Sequence, residues 1–538
     1  MIGRFFRWGL IVSLLLIGCD QDAGVDRVRY LCGSDSECGE GFYCHEPASG
    51  DGYCVADGES ADAANTTDTA ATDTGEPLDE VVSLELIGDG LTITEVIASP
   101  DGDFLVTGVY KDSLTVGDTS INSLGARDGF ALLVDAAGQV QWLRSLGSAS
   151  EFGGYGDFLA AAAFDGDGNL LLGGNSFDGL TYAGNDIVAR TSPEPASVQS
   201  YILSTQPNEP NSQPNWRHIF GTAGDDINAE TDSVTGIAPL SNGHTVIGGS
   251  FEGCLYRLPQ DDLEKECPVY AGGPIDGFFM VLDDSGVERR RAIFSSEGFA
   301  TVSHVGADDG PRIGFAAEFQ QDATIRVGAS QTSYESQSTR SAKKNRLLGE
   351  LDAAGELAWA YVAGLSDDLV ITELAYTPSG MLVAGQFGND VSFGNQTPTP
   401  SQISKDGFLT QLDGSGNPNW FVSLKGEWGG EAVYSVQVDG DNRIIAGLRY
   451  TGEAQLKTTQ FDGEDGIDSA VAALDENGQL LWSENFAYDG KSAIFGAAAA
   501  GGRVAAVFDF EKQVEFRDTP ISDADGGMHL VIFDESSP

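Results

Sequence analysis

The sequence predicts an all-β protein, a seven-bladed β-propeller of four-stranded antiparallel blades, and three observations lead there. Two hairpin markers alternate between Val81 and Pro538, each seven times. Apolar and polar residues alternate with period two through these segments, with almost no helical stretch. The two ends of the region carry complementary half-units, which a closed ring requires and an open β-solenoid, the alternative, does not. Gly accounts for 70 of 538 residues without a collagen period, as many tight turns between short strands would demand.

Residues 1–18 read as an export signal. Arg4 and Arg7 form its positive start and Leu10–Ile17 its apolar run, shorter than the roughly 20 residues of a spanning helix. The run ends in Leu16-Ile17-Gly18-Cys19, which resembles the bacterial lipobox. That resemblance implies cleavage before Cys19 and a diacylglycerol on its thiol, making 19–31 a lipid-anchored N-terminus. An ordinary secretory signal with a chance cysteine is the competing reading. The expected location is the bacterial cell envelope, at the outer membrane or cell surface rather than the inner membrane.

Residues 32–55 hold Cys32, Cys38, Cys44 and Cys54 among Gly, Ser, Asp and Glu. An even count in a short exported segment without a core predicts a small disulfide-rich module, with three connectivities open. Zinc competes, but the five-residue spacings are longer than those of metal knuckles. The module is loosely similar to EGF-like or Dickkopf-type units. Residues 56–80 are acidic, lack aromatics and predict a disordered linker. As a coil this tether reaches roughly 25–30 Å, and charge repulsion extends it.

From Val81 to Pro538 one marker is an apolar strand, Leu-Asp-x-x-Gly, and a strand carrying Trp. Copies are Val134-Asp135-Ala-Ala-Gly138 with Trp142, Leu351-Asp352-Ala-Ala-Gly355 with Trp359, Leu412-Asp413-Gly-Ser-Gly416 with Trp420, and Leu474-Asp475-Glu-Asn-Gly478 with Trp482. In Leu282-Asp283-Asp-Ser-Gly286 the Trp place falls to Arg290; at Leu203-Ser204 an insertion delays Trp216; the last copy is Phe533-Asp534. The second marker is a hairpin turning at Asp101-Gly102, Asp167-Gly168, Asn242-Gly243, Asp309-Gly310, Ser379-Gly380, Asp439-Gly440 and Gly501-Gly502. Successive marker positions, counting Ser204 for its Asp, lie 59 to 79 residues apart. The last unit stops after Met528–Phe533, and Val82–Gly88 is predicted to return as its missing fourth strand. Asp128-Gly-Phe, Asp276-Gly-Phe and Asp406-Gly-Phe, each followed by an apolar strand, resemble the bacterial SBBP-type β-propeller repeats over residues 81–538. The resemblance implies fold and says nothing of activity.

The formal charge, 29 − 82 = −53, excludes a sizeable nucleic-acid footprint and an electrostatic grip on anionic lipid. Membrane contact is expected through the lipid alone. His45, His218, His244, His304 and His529 show no metal-like pairing, and no nucleophile elbow, phosphate loop or sialidase-type Asp box occurs. Asp165-Gly-Asp167-Gly-Asn169 opens like a calcium loop, but it lacks the later ligands and occupies a hairpin position. Trp142, Trp216, Trp359, Trp420 and Trp482 hold one place in the repeat, which predicts packing between blades rather than a sugar-binding row. The same string resembles quinoprotein propeller repeats, without the basic and vicinal-cysteine surroundings of that cofactor. Cys254 and Cys267 bracket an insertion in the third unit, and a disulfide there would contribute roughly 3 kcal/mol. Arg289-Arg290-Arg291 is the one basic cluster, expected on a strand face paired with acid.

No catalytic residue, metal ligand or cofactor is therefore assigned. The expected function is non-catalytic binding or scaffolding of an envelope protein or glycan by a monomer. The alternative is a quinoprotein-like or polysaccharide-acting enzyme, which a funnel lined by several carboxylates or arginines would favour.

Overall fold

The computed structural model describes residues 31–32, 42–45, 52–56 and, with short gaps, 81–535. The chain divides into two compact units, Met1–Leu78 and Asp79–Pro538. In the first, strands Leu31–Cys32, Phe42–His45 and Gly52–Ala56 form an antiparallel sheet with the last at its centre. Cys44 stands opposite Cys54 in backbone register. The predicted signal, Cys19, Cys38 and residues 57–80 lie outside the described residues, as do the side chains of Cys32, Cys44 and Cys54.

The second unit is an all-β β-propeller. Five separate sheets are each built on four consecutive antiparallel strands, and their first strands are Phe158–Phe164, Ser233–Pro239, Ala300–Ala307, Leu369–Thr377 and Ala432–Val438. A ten-stranded sheet contains the rest of the repeats. Its hinge is Val82–Ala98: one part pairs with Gly527–Asp534 and the other with Phe104–Val116. Val82–Leu86 lies antiparallel to Met528–Ile532, so the start of the unit completes the strands at its end, as the half-units predicted. The union leaves neither strand as a bare edge.

The repeated markers have a local cause. In Asp135-Ala-Ala-Gly138 the Asp135 Oδ1 accepts from the N–H groups of Ala137 (3.0 Å) and Gln139 (2.8 Å), while the Gly138 N–H donates to the Asp135 carbonyl at 2.9 Å. Asp413 and Asp475 repeat this arrangement. The fourth turn residue takes positive φ, +78° at Gly138, +76° at Gly416 and +69° at Gly478, where a side chain is disfavoured. The Asp of Asp-Gly-Phe is wholly buried at positions 128, 276 and 406. It accepts the N–H of a residue in the loop before it: Leu124 at 2.8 Å, Gly272 at 2.7 Å and Ser401 at 2.7 Å.

The core lies between adjacent sheets. Phe279 of one meets Phe315 of the next with ring centroids 4.7 Å apart, and both belong to one buried cluster. Several outer edges are extended by a device the sequence did not disclose. Between the second and third strands of a unit, the chain adds a short strand to the fourth strand of the preceding unit, whereas among the described residues Leu357–Leu365 and Leu480–Phe486 receive none. Leu180–Tyr182 pairs with Val140–Gly147, Tyr256–Leu258 with Trp216–Gly221, Ala323–Val327 with Glu288–Ser296, and Ala454–Leu456 with Pro418–Gly426. At the seam, Leu114–Val116 pairs with Leu86–Gly88. Each added strand covers hydrogen-bonding groups that would otherwise invite another strand.

Candidate functional site

The first strands of the five separate sheets, together with Val82–Ala98 and Ser492–Ala500 of the ten-stranded sheet, line a channel, and each carries a bulge beside it. The pairing register slips at Thr94, Ala160, Thr235, Ser303, Thr372, Tyr434 and Phe495. A bulge twists its strand and re-aims the side chains beside it. Around the channel those side chains tie neighbouring strands together. Thr235 Oγ1 donates to the Val302 carbonyl at 2.6 Å, and Thr372 Oγ1 to the Val433 carbonyl at 2.6 Å. Ser435 Oγ accepts from the Ala497 N–H at 3.2 Å, and Glu95 Oε2 from the Ala162 N–H at 2.6 Å.

The larger channel cavity has a volume of about 700 Å³ and reaches the first-to-second turns at Asp101-Gly102 and Asp439-Gly440. Its walls are mainly Ala, Gly, Pro, Ile and Val, with Glu95, Asp101, Glu373 and Asp439 as charged residues and neither Lys nor Arg. A second cavity of about 230 Å³ shares Thr94, Glu95, Thr372, Glu373 and Gln437 with the first. Glu95 and Glu373 thus stand where the two cavities meet. Because strands alternate in direction, the acidic third-to-fourth turns fall at the same end as this mouth.

Burial pushes the Glu373 carboxyl up to about 7, although the Leu374 N–H favours its charged form. Glu95 is raised well above the carboxylate range by burial and then by the charge of Glu373, against the Ala162 N–H. His304 is pushed down to about 4 by burial and by the Arg346 guanidinium, against a backbone hydrogen bond at Thr372. Its Nδ1 lies 3.1 Å from Ser303 Oγ, but Ser303 donates to the Ala316 carbonyl, so this pair is no activated nucleophile. The arginines near the mouth are committed. Arg312 Nε donates to Asp308 at 2.6 Å, and Arg443 holds both Asp439 and Glu535.

The remaining sequence candidates are dispersed. His218 is buried against the Gly286 carbonyl at 3.2 Å, and His529 Nδ1 lies 3.0 Å from Ser83 Oγ. Asp165 Oδ1 accepts from the N–H groups of Asp167 (3.0 Å) and Asn169 (2.8 Å), the same turn chemistry as Asp135. Among the described residues no group of three His, Cys, Asp or Glu is placed to hold a metal ion. The Trp216, Trp359 and Trp420 rings lie against Gly286, Gly416 and Gly478 of the following unit, at the interfaces between sheets. Arg290 occupies that place against Gly355, while Arg289 pairs with Asp283 and Arg291 with Glu288. Cys254 and Cys267 lie outside the described residues; the Ala271 N–H donates to the Gly253 carbonyl at 2.7 Å, closing the base of their insertion.

Sequence reasoning missed Glu95, Glu373 and the channel position of His304. Each falls one residue after a bulge, where the extra residue reverses the faces that an unbroken period-two pattern would assign.

No protein-family model matches the chain, and no curated protein sequence matches it significantly. In structure it is similar to a Dyadobacter fermentans protein of unknown function, with a TM-score of 0.35, 10% identity, and coverage of 85% of this chain and 99% of the other. A Bacteroides caccae protein of unknown function gives a TM-score of 0.28 at 13% identity, covering 63% of this chain and 93% of its own. The Cps50 (Swd1) β-propeller domain of Myceliophteria thermophila gives 0.28 at 10% identity, covering 70% and 97%.

Proposed function

We propose that the chain is a lipid-anchored, extracytoplasmic propeller of the SBBP-type repeat class that binds or scaffolds a protein or glycan partner in the cell envelope without catalysing a reaction. In this reading the ten-stranded sheet counts as two blades joined through Val82–Ala98, which with the five separate sheets makes seven. Cys19 carries the lipid, the linker 56–80 holds the propeller off the membrane, and Cys32, Cys38, Cys44, Cys54, Cys254 and Cys267 form disulfides.

The observation that supports binding is the channel mouth. A recess of about 700 Å³ is lined by small side chains and carboxylates, without lysine or arginine. Such a surface favours a partner that presents cationic or hydroxyl groups. It is the wrong sign for a polycarboxylate quinone. The unit Asp79–Pro538, offered to envelope fractions, is expected to bind saturably, with retention falling at least tenfold on Asp101→Asn/Asp439→Asn. Retention unchanged by those substitutions would overturn the assignment to this face.

One observation favours the second reading, a polysaccharide-acting enzyme: Glu95 and Glu373 both line the channel. Glycoside cleavage needs one carboxyl protonated and one ionised, whereas burial raises both of these. Turnover of an envelope polysaccharide that disappears in Glu373→Gln would establish the enzymatic reading instead.

A further inference from the structure

We propose that Glu95 and Glu373 make the junction of the two channel cavities a proton-operated neck, drawn together while the pair retains a proton and driven apart once both carboxyls are charged.

The geometry supplies the means. Both residues line both cavities, so whatever separates or joins their carboxyls changes the passage between the cavities. Each is mounted one residue beyond a bulge, at Thr94 and Thr372, where the backbone ladder is already interrupted. The two are anchored unequally. Glu95 Oε2 accepts the Ala162 N–H of the adjacent first strand at 2.6 Å. Glu373 Oε1 meets only the N–H of its own neighbour, Leu374, at 3.4 Å, beyond the usual hydrogen-bond range. Glu373 is therefore the arm free to swing.

The groups facing the pair offer little compensation. From Ala300–Ala307 comes His304, which Arg346 and burial keep uncharged above about pH 4. Tyr376 stands on the same strand as Glu373, and its hydroxyl donates to Glu350 at 2.9 Å. Ala432–Val438 contributes Tyr434 and Gln437, while Phe158–Phe164, Ser233–Pro239 and Ser492–Ala500 contribute no ionisable side chain to either cavity. Arg449 lies over Tyr434, its guanidinium carbon 6.0 Å from the ring centroid. Asp101 and Asp439 at the mouth add only negative charge. Two charged carboxylates here would repel across a low-dielectric neck without a cation among its lining residues. Burial raises both, Glu373 to about 7, and the charge of Glu373 raises Glu95 in addition, so the pair takes its first charge near neutral pH and its second at higher pH.

The test is an infrared titration of the Asp79–Pro538 unit as a difference between wild type and Glu373→Gln, which removes the contribution of other buried acids. The Glu373 band, protonated at pH 6 and lost as pH rises through about 7, is expected in wild type and missing from the variant, whose remaining Glu95 band should ionise at lower pH than in wild type because Glu373 no longer charges beside it. Glu95→Gln keeps an acceptor for Ala162 and should retain the Glu373 band alone. In parallel, the unfolding constant of wild type should rise between pH 5 and 8 on the order of a hundredfold more than that of Glu373→Gln. Hydrogen exchange of the first strands, corrected for intrinsic base catalysis, should quicken as pH rises past neutral in wild type alone. Identical infrared titrations in wild type and both variants would overturn the neck. So would exchange that does not respond to pH, since a merely structural carboxyl would leave it unmoved.

Discussion

A Cβ placed on Gly416 would stand 2.7 Å from Cε3 of Trp359, which belongs to the fourth strand of the preceding unit. The contact explains why Leu-Asp-x-x-Gly and Trp recur together: the glycine of one unit is the seat for the indole of another. Gly416→Ala should therefore incur two costs. Positive φ, +76°, costs about 1–2 kcal/mol for a residue with a side chain, and overpacking adds about 1–3 kcal/mol. Gly168 is the control, with φ +77° and nothing within 4 Å of an added Cβ. Urea unfolding should show Gly416→Ala more destabilised than Gly168→Ala; equal losses would mean that Trp359 yields freely.

Much of the fold is legible because turns obey local chemistry. Asp135, Asp413 and Asp475 announce their turns through hydrogen bonds to residues two and four positions on. Closure by Val82 could be inferred because Gln141–Gly147 resembles Val82–Gly88 and the final unit lacked a strand. The replacement of Trp by Arg290 was likewise readable, and the side chain lies against Gly355 as the repeat requires. The candidate site was not. Glu95 follows Thr94 and Glu373 follows Thr372 in strands that otherwise alternate normally, and their meeting depends on positions 278 residues apart converging on one axis. The edge hairpins were hidden for a different reason. Their strands, such as Ala454–Leu456, are only three to five residues long and pair with a preceding unit, so sequence adjacency misassigns them.

Asp475 satisfies Asn477 and Gln479 N–H groups at 2.9 and 2.7 Å in an exposed turn. Water can replace much of what Asp475→Ala removes, so the expected loss is modest, about 1–2 kcal/mol. Asp475→Asn keeps an acceptor and should recover at least half of it. The comparison of denaturation midpoints isolates the acceptor from the charge.

Deleting residues through Gly88 removes the strand that pairs with Met528–Ile532 and uncovers a long apolar edge. Light scattering at matched concentration should then show oligomers or aggregate where the chain from Asp79 does not. A truncated protein that stays monomeric, with unchanged unfolding, would mean that the Val82–Leu86 pairing contributes nothing to ring integrity.

Lys457 turns the hairpin Ala454–Phe461 with φ +55°, a conformation that comparable turns assign to Gly117, Gly328 and Gly394, and two others to Ala183 and Arg517. Lys457→Gly should therefore stabilise the protein by about 1 kcal/mol despite the entropy that glycine adds to the unfolded chain. A lower denaturation midpoint would show that the lysine stem contributes more to packing than its backbone strain costs.

His304 and Glu373 give the ring two opposed pH dependences. His304 is held near 4 by burial and Arg346, below the unfolded value of about 6.5. Between these values the unfolded chain binds more protons, so stability rises with pH. The contribution is complete above about 6.5 and is lost as pH falls toward 4. A shift of this size corresponds to about 3 kcal/mol. Glu373 is raised to about 7, so its folded form binds the extra proton, and its contribution is lost as pH rises from about 4.5 through 7. The wild-type profile across the overlap should consequently be flatter than either group alone implies. His304→Gln should remove the acid-side loss and leave a profile that falls as pH rises, and Glu373→Gln should leave one that rises. Urea unfolding at pH 4.5, 5.5, 6.5 and 7.5 separates them, and a His304→Gln profile parallel to wild type would show that this imidazole titrates freely in the folded channel.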